Sequence, residues 1–131
     1  MCGVSGEHRR DGGIPALGQL QAMAESMHHR GPDDDGFLQR PGIGFGFRRL
    51  SIIDLEGGAQ PLAGCSDRVW IQGNGEIYNY RELRTELLRR GHTFATDSDM
   101  EVIAHGYEEW GDAVLDRLNG IFGLAIWDED E

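Results

Sequence analysis

The chain has 131 residues, and its 12 basic against 23 acidic side chains give a net charge of −11. That length suits one domain able to bury roughly two-thirds of its unfolded surface, and the charge disfavours nonspecific binding to phosphate backbones or anionic membrane surfaces. Two cysteines, Cys2 and Cys65, are too few for a disulfide framework, and no apolar run reaches the length of a signal segment or membrane span, so a soluble cytoplasmic protein with no nucleic-acid and no membrane partner is expected.

In chain order, Met1-Cys2-Gly3-Val4-Ser5-Gly6 comes first. Methionine removal is favoured before a small side chain, so Cys2 is expected to begin the mature chain and to carry a thiol and a free α-amine on one residue. An inert thiol packed as a small hydrophobe is the alternative. His8 to Gly13 reads as a polar turn. Leu17, Leu20, Met23, Ala24 and Met27 then recur at helical spacing across Ala16 to Met27.

The stretch from His28 to Gly36 breaks that helix with Gly31 and Pro32 and reads as a charged loop. Its histidines and the unspaced carboxylates Asp33, Asp34 and Asp35 match no metal-ligand pattern, and no metal is expected. Ile43, Phe45 and Phe47 alternate with glycines, and Leu50 to Leu55 continues as an apolar run, so both read as extended. Arg68 to Gln72 reads as a strand ending in a Gly73-Asn74-Gly75 turn.

Tyr80 to Arg90 is an amphipathic helix closed by Gly91. Thr93 to Ala95 reads as a short strand. Ser98 and Glu101 have capping-box spacing before a helix through Tyr107 and Trp110, a short helix follows over Ala113 to Leu118, and Ile121 to Trp127 reads as a buried strand. His92 and His105 lie on stretches that read as surface, and Cys65 sits in a turn, so none of the three is assigned chemistry. Strands cluster with helices between and after them, without βαβα alternation, which predicts an α+β layered fold. A core strand so near the end of the chain predicts truncation at the C-terminus.

Six blocks carry a resemblance: MCGVSG at the start, HRGPDDDG at 29–36, RRLSIIDL at 48–55, GGAQPL at 57–62, NGEIYNYRELR at 74–84 and SDMEV at 98–102. In this order they resemble the class II glutamine amidotransferases with an N-terminal cysteine nucleophile. HRGPDDDG and NGEIYNYRELR are similar to the branch of glutamine-hydrolysing asparagine synthetase. The resemblance spans residues 1–131 as a glutaminase domain and implies an N-terminal-nucleophile αββα sandwich of two antiparallel sheets.

Hydrolysing the side-chain amide of glutamine needs a nucleophile, a base, donors for the oxyanion and a grip on the amino-acid head group. The resemblance assigns the first to Cys2, whose own amine, with an ordinary pKa near 8, is positioned to take the proton of a thiol near 8.5. It assigns the oxyanion to the Asn74 amide and Gly75 N–H, where the residues alone favour a plain Asn-Gly hairpin turn. Arg49 and Asp99 match the positions that bind the α-carboxylate and α-amine, with Glu76 and the backbone of Ser51, Ile52 and Ile53 lining the same pocket. By itself, Asp99 could simply complement a helix dipole.

Two departures stand out. Phe47 occupies a place where the family usually has histidine, and Gly73 replaces a bulkier residue. The implied activity is release of glutamate and ammonia from L-glutamine, with no cofactor in this domain. ATP and magnesium are expected only for an absent synthetase domain, in cis or in trans, that amidates aspartate. A noncatalytic fragment or interaction module, a homodimer, and an amidotransferase with another acceptor stay open.

Overall fold

The structure is a computed structural model that describes residues 1–51 and 58–131. The elements run β1 (Gly3–His8), α1 (Leu17–Ser26), β2 (Asp34–Arg40), β3 (Ile43–Arg49), β4 (Leu62–Ala63), β5 (Val69–Ile77), α2 (Tyr80–Arg89), α3 (Glu101–Trp110), a 3-10 turn (Gly111–Ala113), α4 (Val114–Arg117) and β6 (Gly120–Asp128). Among the described residues the strands form two antiparallel three-stranded sheets, ordered β1-β3-β2 and β4-β5-β6.

Strand alternation sorts side chains into layers. On β3, Ile43, Phe45 and Phe47 turn toward the second sheet, and Gly44 and Gly46 turn toward α1, whose Leu20 packs over them. Leu38, Ile43 and Phe45 meet Trp70, Ala125 and Trp127 between the sheets, and the Gln72 side chain donates across the gap to the Ser5 carbonyl at 2.7 Å. Behind the second sheet, Ile71, Ile77, Phe122, Leu124 and Ile126 pack on Leu83, Leu87, Val102 and Ile103 of α2 and α3. The order helix, sheet, sheet, helix is the expected α+β αββα sandwich.

Several local expectations need correction. Gly73-Asn74-Gly75 is not a turn: it lies inside β5, where it pairs with Leu124, Gly123 and Phe122, because β6 supplies a nine-residue partner. Two strands were not legible, since β1 has little apolar alternation and β2 begins in the acidic loop at Asp34; each gains its ladder from β3. Thr93 to Ala95 is not a strand. The N–H groups of Ala95 and Thr96 donate instead to the Glu101 carboxylate, at 2.7 and 2.8 Å.

That same bonding dissolves the expected capping box, since Glu101 reaches back to residues 95 and 96 while Ser98 Oγ accepts from the Met100 N–H at 3.2 Å. Nor is His105 at the surface. It is 2 % exposed, four residues after Glu101 on α3, with its ring 4.4 Å from that of Phe94. The expected strand over Leu50 to Leu55 does not include Leu50 or Ser51, and its remainder lies outside the described residues. No described helix is long and apolar enough to cross a membrane.

Candidate active site

A cavity of about 380 Å³ opens between the two sheets near the chain start, lined by Cys2, Phe47, Arg49, Asn74, Gly75, Glu76 and Asp99 among others. These residues come from four separate segments, and the fold explains the convergence. Cys2 immediately precedes β1, which pairs with β3 so that Gly3 faces Arg48. Arg49 ends β3 on the same inward face as Phe47, whereas Arg48 turns the other way, toward Glu25 and Ala24 of α1. Asn74, Gly75 and Glu76 lie near the end of β5, and Asp99 precedes α3.

The Cys2 thiol is half-buried, and its sulfur accepts the Leu50 N–H at 3.4 Å. The acidic loop before β2 fastens the surrounding backbone. Arg30 Nε donates to the Cys2 carbonyl at 3.3 Å, Arg48 Nε to the Gly31 carbonyl at 2.8 Å, and the Ser51 N–H to Asp33 Oδ2 at 2.7 Å. Arg48 also pairs with Asp35 at 3.3 Å. This network gives the loop a bracing role. Ser51 spends its N–H on Asp33 and is not among the cavity-lining residues; Ile52 and Ile53 lie outside the described residues.

The open edge of β5 is arranged residue by residue. Pairing with β4 stops at Leu62 opposite Ile71, and among the described residues no strand pairs with the N–H groups that follow on that edge. Gln60 stands in for one: its Oε1 accepts the Gly73 N–H at 2.6 Å and its Nε2 donates to the Gly73 carbonyl at 3.1 Å. Asp99 Oδ2 accepts the Ile77 N–H at 2.7 Å. Antiparallel alternation directs the Gly75 N–H to this same edge, between the two that are taken. Gly75 has φ +143°, and a Cβ there would collide with the Ile121 carbonyl oxygen, so glycine is required by both conformation and space.

The side chain of Asn74 lies on the inner face with its Nδ2 3.9 Å from Met1 Sδ, so Met1 reaches over the cavity that Cys2 and Asn74 share. The two departures from the family pattern also find their places. Phe47 is 1 % exposed and forms an apolar wall, and Met100 Sδ would lie 3.3 Å from a Cβ at residue 73, filling the room that a larger side chain would take. Gln60 was missed as a supporting residue, although the GGAQPL block contains it.

All 131 residues match the family model described as a glutamine amidotransferase domain. The glutamine-hydrolysing asparagine synthetase 1 of Bacillus subtilis is 43 % identical over 134 residues, covering 100 % of this chain and 21 % of that protein. A putative glutamine-hydrolysing asparagine synthetase of Mycobacterium tuberculosis is 45 % identical over 126 residues, covering 88 % of this chain and 19 % of that one. The chain therefore spans about a fifth of the length of these relatives. Among solved structures, the glutamine phosphoribosylpyrophosphate amidotransferase of B. subtilis superposes with a TM-score of 0.66 at 20 % identity, over 98 % of this chain and 35 % of that one, a likeness of fold.

Proposed function

Because the chain belongs to the glutamine amidotransferase domain family, we propose that it hydrolyses L-glutamine to glutamate and ammonia as the glutaminase part of an asparagine synthetase. The observation that carries this reading is the meeting of Cys2, Arg49, Asn74, Gly75 and Asp99 on one cavity. The size of the cavity suits a small polar substrate.

In the proposed course, Cys2 loses its thiol proton to its own α-amine and attacks the side-chain amide carbon of glutamine. The oxyanion that forms takes hydrogen bonds from the Asn74 amide and from the Gly75 N–H, which the edge of β5 leaves available between two occupied neighbours. One such donor is typically worth about 3 kcal/mol in the transition state. Collapse returns the proton to the leaving nitrogen, ammonia departs, and water cleaves the thioester to release glutamate.

Arg49, buried at the cavity wall, suits the substrate α-carboxylate, and Asp99 suits the α-amine, with Glu76 beside it. Asp99 has one oxygen committed to Ile77 and a second to offer. No cofactor is needed for these steps. The similarity to asparagine synthetases supports a synthetase partner, in cis or in trans, that would use ATP and magnesium to amidate aspartate with the ammonia.

A second reading rests on β6, which among the described residues pairs only with β5 and so presents an open edge. An exposed edge favours association with another chain, in a homodimer or with a partner. One experiment separates the two. Ammonia release from glutamine is measured for the wild type and for Cys2→Ala, with the intact mass of each recorded. The glutaminase reading expects release only from wild-type chains that have lost Met1. Equal background release from both proteins would leave association as the surviving reading.

A further inference from the structure

Away from the cavity, four potential ligands from three segments converge: Cys65 in the β4–β5 connection, His92 after α2, and His105 with Glu108 on α3. Their ligand atoms all lie within 4.8 Å of one another. We propose that this cluster is a tetrahedral site for a zinc-type divalent transition-metal ion.

The distances suit such an ion. Cys65 Sγ lies 3.3 Å from His105 Nδ1 and 3.7 Å from His92 Nδ1, and Glu108 Oε2 lies 3.8 Å from each of those nitrogens. With zinc at about 2.3 Å from sulfur and about 2.0 Å from nitrogen, a tetrahedral sulfur–nitrogen edge is about 3.5 Å, between the two observed values. The imidazole rings meet edge to face, at 76°, which lets both Nδ1 atoms aim at one point.

The surroundings orient the ligands as metal sites require. His105 Nε2 meets Glu101 Oε1 at 3.2 Å, and His92 Nε2 meets Glu109 Oε2 at 2.9 Å. A carboxylate on the outer nitrogen selects the tautomer with its proton there and leaves the Nδ1 lone pair facing inward. Both histidines have this arrangement independently. The Thr93 N–H points at Cys65 Sγ from 3.5 Å and helps hold the sulfur beside the two rings.

Glu108 is held in place by the N–H groups of Cys65 and Ser66, at 2.8 and 2.9 Å. One thiolate, one carboxylate and two neutral imidazoles would balance a divalent charge, and this donor set favours zinc over magnesium or calcium. Exposed Cys65 leaves a path for entry, while buried His105 anchors the inner side. The bound ion would tie the β4–β5 connection and the segment after α2 to α3.

Cobalt(II) tests this directly, added to reduced, chelator-stripped protein. One equivalent is expected to give a thiolate-to-cobalt charge-transfer band with intense tetrahedral visible absorption, zinc is expected to bleach both, and either metal is expected to raise the melting temperature. Cys65→Ser should abolish the charge-transfer band, and His92→Ala should weaken binding at least tenfold. Cys2→Ala should retain the full spectrum, which excludes an amine–thiol chelate at the chain start and separates this site from the glutaminase. Absence of the band in natively folded wild type, its persistence in Cys65→Ser, or its loss in Cys2→Ala would each overturn the proposal.

Discussion

Gln60 and Asp99 occupy the open edge of β5 on either side of Gly75, one accepting the Gly73 N–H at 2.6 Å and the other the Ile77 N–H at 2.7 Å. Between them they do what a neighbouring strand would do, but leave a gap one N–H wide. Replacing Gln60 with leucine strands a buried N–H and a buried carbonyl at Gly73, at a cost on the order of 2–4 kcal/mol. Urea unfolding should show that loss. The kcat for glutamine should also fall about tenfold or more, because Asn74 and Gly75 follow directly in the chain. A Gln60→Leu protein that unfolds like wild type would remove Gln60 from this role.

Asp99 has two separable duties, and one substitution divides them. Asp99→Asn retains an oxygen for the Ile77 N–H and loses only the charge that would meet the substrate amine. Its unfolding should stay within about 0.5 kcal/mol of wild type, while KM for glutamine rises roughly 10- to 100-fold, the worth of one charged hydrogen bond. Asp99→Ala should lose both stability and affinity. Unchanged KM in Asp99→Asn would transfer the amine to another residue.

Gly75 and Gly123 lie close together where β5 meets β6, yet alanine should affect them very differently. At Gly75 the backbone is at φ +143° and a Cβ has no room beside Ile121, so Gly75→Ala should cost about 2 kcal/mol or more and disturb the proposed oxyanion donors. At Gly123 nothing lies within 4 Å of a Cβ. Gly123→Ala should therefore melt within a degree or two of wild type, roughly the noise of a surface substitution. Thermal unfolding of the pair checks both statements.

Much of this was legible because periodicity and blocks of residues carry their own physics. The alternation of Ile43, Phe45 and Phe47 marked a strand with one flat glycine face, and α2 announced itself through Leu83 and Leu87. Gly73-Asn74-Gly75 misled because glycines that permit a turn also permit close strand packing, and only the presence of β6 decides between them. The histidine cluster was opaque for a different reason: Cys65 and His92 meet α3 only through tertiary folding. The one local signal was Glu101, His105 and Glu108 at i, i+4 and i+7, which place three polar groups on one helix face.

The acidic loop that begins at His28 braces the backbone around Cys2 without lining the cavity. Arg30 Nε contacts the Cys2 carbonyl, and Gly31 fits so tightly that a Cβ there would lie 2.5 Å from the Arg48 carbonyl carbon. The two positions should fail in different ways. Arg30→Ala removes one half-buried charged hydrogen bond, so the fold persists and Cys2 is held less firmly; kcat should drop about tenfold with KM for glutamine unchanged. Arg30→Lys should recover part of that loss. Gly31→Ala forces backbone apart where β3 meets the loop, so it should lower the melting temperature as well as the rate. Steady-state kinetics with melting curves distinguish these patterns, and an Arg30→Ala enzyme at full rate would show that Cys2 needs no brace from this side.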